Sequence, residues 1–552
     1  MNNQPPKPIE SGPAGRGEGE NTVRSEPALA QPGSPRLREV SLSSSDGGTG
    51  VAPGSGVSEP PKGEMEIGDG CDACSTPPHR PLPALLMAVG AVLSFHVAYL
   101  TSWGLVAMLL FFCFLVALTR LDTARRAFNY GVGIGLACYT PHLSFFWNVF
   151  VSPTNGTVER IAGITGVGAL WMVLPIWLGV FLLLAAFVRR RFNGLVAMFL
   201  IPTLWLGVEY FRSELYPLKF SWMSIGYALS PRYLAAGLYG IGAVLCLLGT
   251  VIVFQWQRSW KQALGTAAFF LAATFWLQMN APVIQPQPPA LQVAGIQLEF
   301  PNEGAVLTAL NQVAAKHPQV PLIVLPEYTF DGPIPQRVRD WCREQGKWLV
   351  VGGKDPLGTT NYYNTAFVIG TNGAIVFQQA KCMPIQFFRD GLPAPQQRVW
   401  EAPWGTIGLC ICYDLSYTRV TDALIRQGAQ MIICPTMDVD LWGRYQHELH
   451  SRVAPVRAAE YNVPVFRVAS SGISQAVDRQ GQVRASAPFP GQGEIIVGTL
   501  APMGLGGTVP LDRYAAPVAA LVTVQTAVLA LVSRLRRRSR PFPSKDSSHP
   551  QP

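Results

Sequence analysis

The sequence predicts a helical membrane bundle of about eight spans carrying one α/β layered domain outside the cytoplasm. Apolar runs close to the ~20 residues of a bilayer crossing recur from about residue 82 onward. Arginine and lysine cluster at alternate ends of these runs. Between the seventh and eighth runs lies a segment of another texture, short β-rich apolar stretches alternating with polar or helical ones.

Composition sets the class. The 552 residues are 49% hydrophobic and 14% charged, well below the roughly 25% charge of a soluble domain, and mean hydropathy is positive. The formal net charge of +9 sits in short clusters beside apolar runs. That placement fits the positive-inside rule better than a phosphate-binding face, so no nucleic acid partner is expected. The ten cysteines form no disulfide ladder. Cys113, Cys138 and Cys246 read as small buried hydrophobes. Cys71 and Cys74 make a CxxC with no second pair or nearby histidines, a weak metal or redox signal. His96 and His142 stand singly in apolar runs, so no metal is assigned.

Taken in order, residues 1–80 are rich in Pro, Gly, Ser and Glu and are expected to be a disordered tail. No signal peptide is expected, because the first apolar run lies too far in and is too long. Residues 81–285 form the bundle, with spans at roughly 82–100, 102–119, 128–150, 163–188, 193–211, 231–256 and 262–279. The connections after even-numbered spans carry Arg120, Arg125 and Arg126, then Arg189 to Arg191, then Arg258 and Lys261. This asymmetry puts the N-terminus in the cytoplasm and the segment at 288–505 on the outer face. A last span at 514–533 returns the chain to a basic cytoplasmic tail, 534–552. Strands that are apolar throughout, such as PLIVLPE and MIICPT, imply a sheet covered on both faces.

Chemistry concentrates in that outer segment. In GLCICYDLSY a short strand delivers Cys412 onto a turn with Tyr413 and Asp414. Glu327 ends LIVLPE and Lys381 stands in QAKCMP. A thiol needs a base for its proton and an ammonium to hold anionic charge, and these two residues supply them. Strand parity does not separate Cys412 from Cys410, and Cys434 has a similar strand-end context.

Glu327 after a strand, Lys381 some fifty residues on and Cys412 in C-Y-D resemble the nitrilase (carbon–nitrogen hydrolase) superfamily. YYNTAFVI and VRAAEYNVPVFRVASSGISQAVDRQGQV extend the likeness, which implies an αββα sandwich. The bundle segment WLGVEYFRSELYPLKFSWMSIGYALSP resembles that of apolipoprotein N-acyltransferases, with Ser221 where proline is usual. That family resemblance implies Glu327, Lys381 and Cys412 as a catalytic triad. It implies acyl transfer from a phospholipid, through a Cys412 thioester, to the N-terminal amine of a diacylated apolipoprotein. The enzyme would act as a monomer in the bacterial inner membrane, facing the periplasm and using no cofactor. A membrane-anchored amidase with water as acceptor is the alternative.

Departures bear on substrate contact. Arg389 stands at the position of the family's loop glutamate, with Asp390 next to it as a candidate replacement; Asp414 stands where glutamate is common. Tyr413, Asp414, Asp390, Phe387 and Trp222 are the substrate-binding candidates. Duller alternatives are loop packing for Phe387 and Phe388 and an aromatic belt for Trp222 and Tyr227. Glu209 and Arg212 are expected to pair or reach headgroups.

Overall fold

The computed structural model describes residues 83–151, 156–279, 290–491, 493–502, 504 and 506–538. The expected tail with Cys71 and Cys74, and most of the basic C-terminal tail, lie outside the described residues.

Among the described residues, eight α-helices precede the strands: α1 (Ala84–Leu100), α2 (Gly104–Leu118), α3 (Ala124–His142), α4 (Phe146–Phe150), α5 (Thr157–Arg191), α6 (Gly194–Tyr210), α7 (Gly240–Trp256) and α8 (Trp260–Met279). Thr123 and Asn193 start α3 and α6 by accepting from the N–H groups of Arg126 and Val196. Phe95, Met108, Phe112, Phe181, Ile201 and Leu245 fill the space between helices. Among the described residues, three helices are long and apolar enough to cross a membrane: Thr157–Arg191, Gly194–Leu215 and Asp512–Arg536. Helices α1, α2 and α7 are apolar but shorter.

Two expected spans are broken. The run at 128–150 is helical only to His142 and resumes as the short α4. Pro141 has no N–H for the carbonyl of Ala137, and that oxygen meets Nε2 of His96 at 3.0 Å instead. His96 and His142, read as single, are partners, with Nδ1 and Nε2 at 3.1 Å. In the run at 231–256 a 3₁₀ turn, Pro231–Ala236, precedes α7. Gly237, at φ +87°, stops that turn, and a Cβ there would strike the carboxylate of Asp512. Asp512 then accepts from the N–H groups of Tyr239 (2.9 Å) and Gly240 (3.1 Å), capping α7 from the far end of the chain.

Residues 291–500 form an αββα sandwich. One sheet contains β1 (Leu291–Ile296), β2 (Leu322–Val324), β3 (Trp348–Leu357), β4 (Asn361–Ile369), β5 (Ile375–Ala380) and β12 (Ile495–Leu500), ordered β12-β1-β2-β3-β4-β5. The other contains β6 (Val399–Ala402), β7 (Gly405–Leu409), β8 (Met431–Thr436), β9 (Val465–Ala469), β10 (Ser474–Val477) and β11 (Val483–Ala487), ordered β11-β10-β9-β8-β7-β6. Each has a parallel centre, β1-β2-β3 or β7-β8-β9, with antiparallel edges.

The inner faces meet through Val293, Leu322 and Val350 against Ile407, Ile433 and Phe466. Helices α9 (Glu303–Lys316) and α10 (Gln336–Gln345) cover one outer face with Val306, Leu310, Val338 and Trp341. Helices α11 (Thr418–Arg426) and α13 (Val453–Tyr461) cover the other, after the short α12 (Arg444–Ser451). Coverage on both faces is why these strands are apolar throughout. The chain closes with α14 (Asp512–Arg538).

Candidate active site

The parallel strands end on one side of the sandwich, and the polar residues of interest follow them. After β7 the chain stays extended at Ile411 and turns at Cys412, whose φ is +51°. An L-residue enters this region only at an energetic cost, so the surrounding structure must hold it there. Asp414 supplies part of that hold. Its carboxylate accepts from the N–H groups of Ile411 (3.1 Å), Cys382 (3.1 Å) and Met383 (2.7 Å), tying the thiol's turn to the loop after Lys381. Burial pushes the Asp414 carboxyl up to about 7, against Lys381 and these N–H donors. Asp414 is fully buried, and its partners are backbone groups. The expectation that it contacts substrate gives way to a clamp beneath the turn.

Glu327 follows β2, with Tyr328 next to it at φ +52°. Its backbone lies so close to β3 that only glycine fits opposite: a Cβ on Gly352 would sit 2.5 Å from Glu327 Cα. Lys381 Nζ reaches Glu327 Oε1 at 2.8 Å and Asp390 Oδ2 at 2.7 Å. Asn364 on β4 donates to Glu327 Oε1 (2.6 Å) and to Asp390 Oδ1 (2.9 Å). The Met437 N–H donates to Glu327 Oε2 at 2.7 Å. Cys412 Sγ lies 3.7 Å from the Met437 carbonyl oxygen.

Two carboxylates share one ammonium here, all buried. Burial raises the Glu327 carboxyl above the usual range, Lys381 opposes this, and Asp390 adds to it. Burial works against the charge of Lys381, but Asp390 and Glu327 hold its pKa well above normal. Burial, and then Glu327, keep Cys412 well above the ordinary thiol range, with Lys381 pulling the other way. The resting group is a thiol beside a carboxylate of raised basicity. Such an arrangement can pass a proton and hold an oxyanion in a water-poor pocket.

An apolar cleft opens over Cys412. Tyr413, Trp222, Ile385, Phe387 and Phe388 line it, with Leu143, Phe146 and Leu174 from the bundle. Trp222 is buried, and its Nε1 donates to Ser416 Oγ at 2.9 Å, docking the bundle's loop on the thiol's turn. Phe387 and Phe388 are exposed and face Phe150 at ring distances of 6.3 and 5.6 Å. Glu209 and Arg212 are buried as an ion pair at 3.9 Å, the first of the two expected alternatives. Asn364, Asp438 and His450 also belong to this neighbourhood and were missed in the sequence. Asn364 looks like one polar residue in a strand, and the other two acquire meaning only through contacts across the fold.

Arg389 is exposed, whereas Asp390 turns inward onto Lys381. Arg389→Ala is therefore expected to leave acyl-enzyme formation within about twofold of the parent. Asp390→Ala removes a charge-assisted bond to a buried ammonium and should slow it about 10- to 100-fold. Rapid-quench mass spectrometry of the Cys412 adduct distinguishes the two, and equal effects would refute the assignment.

Comparisons with known proteins bear on the whole chain. Residues 298–504 match the carbon-nitrogen hydrolase family, and residues 88–256 match the apolipoprotein N-acyltransferase N-terminal domain. The chain is similar to the apolipoprotein N-acyltransferase of Geobacter metallireducens, 25% identical over 465 residues, covering 74% of this chain and 87% of that one. Similarity to the Photobacterium profundum apolipoprotein N-acyltransferase is 23% over 466 residues, with the same coverage of 74% and 87%. The deaminated glutathione amidase of Yersinia enterocolitica is 26% identical over 203 residues, 34% of this chain and 66% of that protein. The amidase likeness covers about a third of the chain, and the other two about three quarters. With both of its parts matched, the chain belongs to the apolipoprotein N-acyltransferase family.

Proposed function

We infer that the protein transfers a fatty acyl group from a phospholipid, through a thioester on Cys412, to the N-terminal amine of diacylglyceryl-cysteine in apolipoproteins. The observation that carries this reading is an apolar cleft, walled partly by the bundle, that opens onto the thiol beside Glu327 and Lys381. Glu327 takes the Cys412 proton, and the thiolate attacks the ester carbon. The ester C–O bond breaks, and Glu327 returns the proton to the departing lysophospholipid. Lys381 stabilises the oxyanion. In the second half the amine attacks the thioester, the C–S bond breaks, and Glu327 carries the N–H proton to sulfur. Asp390 fixes Lys381, and Tyr413, Trp222, Phe387 and Phe388 receive the acyl chains.

The protein works as a monomer of about eight spans in the bacterial inner membrane, with the sandwich on the periplasmic face. The alternating basic clusters support this orientation. Incubation with labelled phospholipid and a diacylated lipopeptide tests the reaction. The expected products are an acyl-thioester on Cys412, unaffected by Cys410→Ser, and an N-acylated peptide. Release of free fatty acid without N-acylated peptide would favour the amidase alternative.

A further inference from the structure

Beside the thiol, on the wall of the same cleft, lies a polar cluster with no part in the triad. Asp438 directly follows Met437, whose carbonyl meets Cys412 Sγ and whose N–H holds Glu327. Asp438 is fully buried. One of its oxygens pairs with Arg467 and the other lies 2.7 Å from His450 Nδ1. Despite its burial, the hydrogen bond from His450 and the charge of Arg467 hold the Asp438 carboxyl well below the usual range, so it is a carboxylate and can only accept. The proton between them therefore sits on Nδ1, which fixes the tautomer and leaves a lone pair on Nε2.

His450 lines the cleft together with Cys412 and Tyr413. Its ring stacks on Trp222 at 4.6 Å, and Trp222 is 6.2 Å from the Tyr413 ring. The ring's hydrogen-bond contacts among the described residues, Asp438 Oδ1 at 2.7 Å and Arg467 Nη2 at 3.0 Å, are both at Nδ1. Burial, helped by Arg467 and opposed by Asp438, pushes the imidazole down to about 4, so it is neutral at working pH. A ring nitrogen with a free lone pair, on a residue that lines the cleft, is open to a donor from the substrate.

The two substrates differ in what they can donate. The acyl donor presents an ester at the reacting centre, which has no donor hydrogen. The second substrate presents an amine, which has N–H groups to spare. We propose that His450 Nε2 is the amine-binding site of the second half-reaction, orienting the incoming α-amine on the thioester. This rests on the acyl-transfer reading above. The amine enters as the free base, its extra proton left in water. Nitrogen bonds to the thioester carbon, the C–S bond breaks, and Glu327 moves one N–H proton to sulfur. His450 accepts the other N–H as a hydrogen bond and takes no proton. Asp438 and Arg467 are positioning residues that hold the imidazole.

Paired substitutions test the assignment. Asn in place of His450 keeps a donor near Nδ1 for Asp438 but has no acceptor at the Nε2 position. Gln puts an amide oxygen near Nε2 and gives up the Asp438 bond. Each half-reaction is followed in full-length protein by intact-mass spectrometry, first thioester formation from phospholipid, then its decay on adding a diacylglyceryl-cysteine peptide. His450→Asn is expected to slow transfer to the amine about 10- to 100-fold and Cys412 acylation far less. His450→Gln should recover much of that transfer. Parent-like transfer in His450→Asn, equal slowing of both halves, or better transfer in Asn than in Gln would overturn the proposal. The underlying reading fails differently: the parent enzyme itself would form a thioester that passes only to water.

Discussion

Glu327→Gln is expected to slow thioester formation on Cys412 by about 10²–10⁴-fold while leaving the protein folded. Burial and the neighbouring carboxylate hold Cys412 well above the ordinary thiol range, so almost no thiolate is present at neutral pH. The proton must leave during attack, and Glu327 is the carboxylate that acts most strongly on the thiol. Glutamine matches its shape but cannot take that proton. The side chain at 327 also accepts from Lys381, Asn364 and the Met437 N–H. An amide nitrogen must then face one of these donors, which adds to the loss. Asp390 still pairs with Lys381, so the ammonium is not orphaned.

The pH profile separates a lost base from a distorted site. Without Glu327 the residual rate tracks the thiolate fraction, which rises about tenfold per unit below the thiol's pKa. The parent rate should vary far less over the same range. Rapid-quench mass spectrometry at several pH values reads both, with Cys412→Ala as the zero. A variant within about threefold of the parent would remove Glu327 from the mechanism.

Parts of this fold are legible in local pattern and parts are not. The sandwich strands stand out because both faces are covered, which leaves runs such as Met431–Thr436 with no exposed position to carry a charge. Their pairing order is not legible, since β12 joins β1 from about two hundred residues away. The start of α7 is invisible for the same reason: its cap, Asp512, belongs to another helix. Asp390 is marked as a candidate by its place beside Arg389, but its partner is not legible until the turn after Lys381 folds it onto the ammonium. Asp414 next to the thiol reads as a substrate contact, yet its distances to three backbone N–H groups make it a clamp. Short-range pattern names the elements. The contacts that decide what a polar residue does come from elsewhere in the chain.

The largest effect on stability is expected at Glu460, which lies in the VRAAEYN segment and does not line the cleft. Its carboxylate receives Arg457 at 2.5 Å, Arg513 of α14, and the Leu238 N–H at 2.7 Å before α7. Arg457 goes on to the carbonyls of Leu415 (2.9 Å) and Ser416 (2.8 Å) in the thiol's turn. One buried anion thus joins α13, α14, the bundle and the Cys412 turn. Glu460→Ala leaves two buried guanidinium groups short of charge, and breaking such a pair costs about 3–5 kcal/mol. Thermal unfolding in detergent should fall sharply, and α14 should become open to protease. Asp122→Ala, at a pair where the aspartate is 81% exposed, should change neither. Glu460 also sets an acid limit. Arg513 and Arg457 outweigh its burial and hold its carboxyl below the ordinary glutamate value. The stabilisation is therefore present above that value and is lost as pH falls through the depressed one. Glu460→Gln should flatten this acid limb, and an unchanged limb would assign acid unfolding to another group.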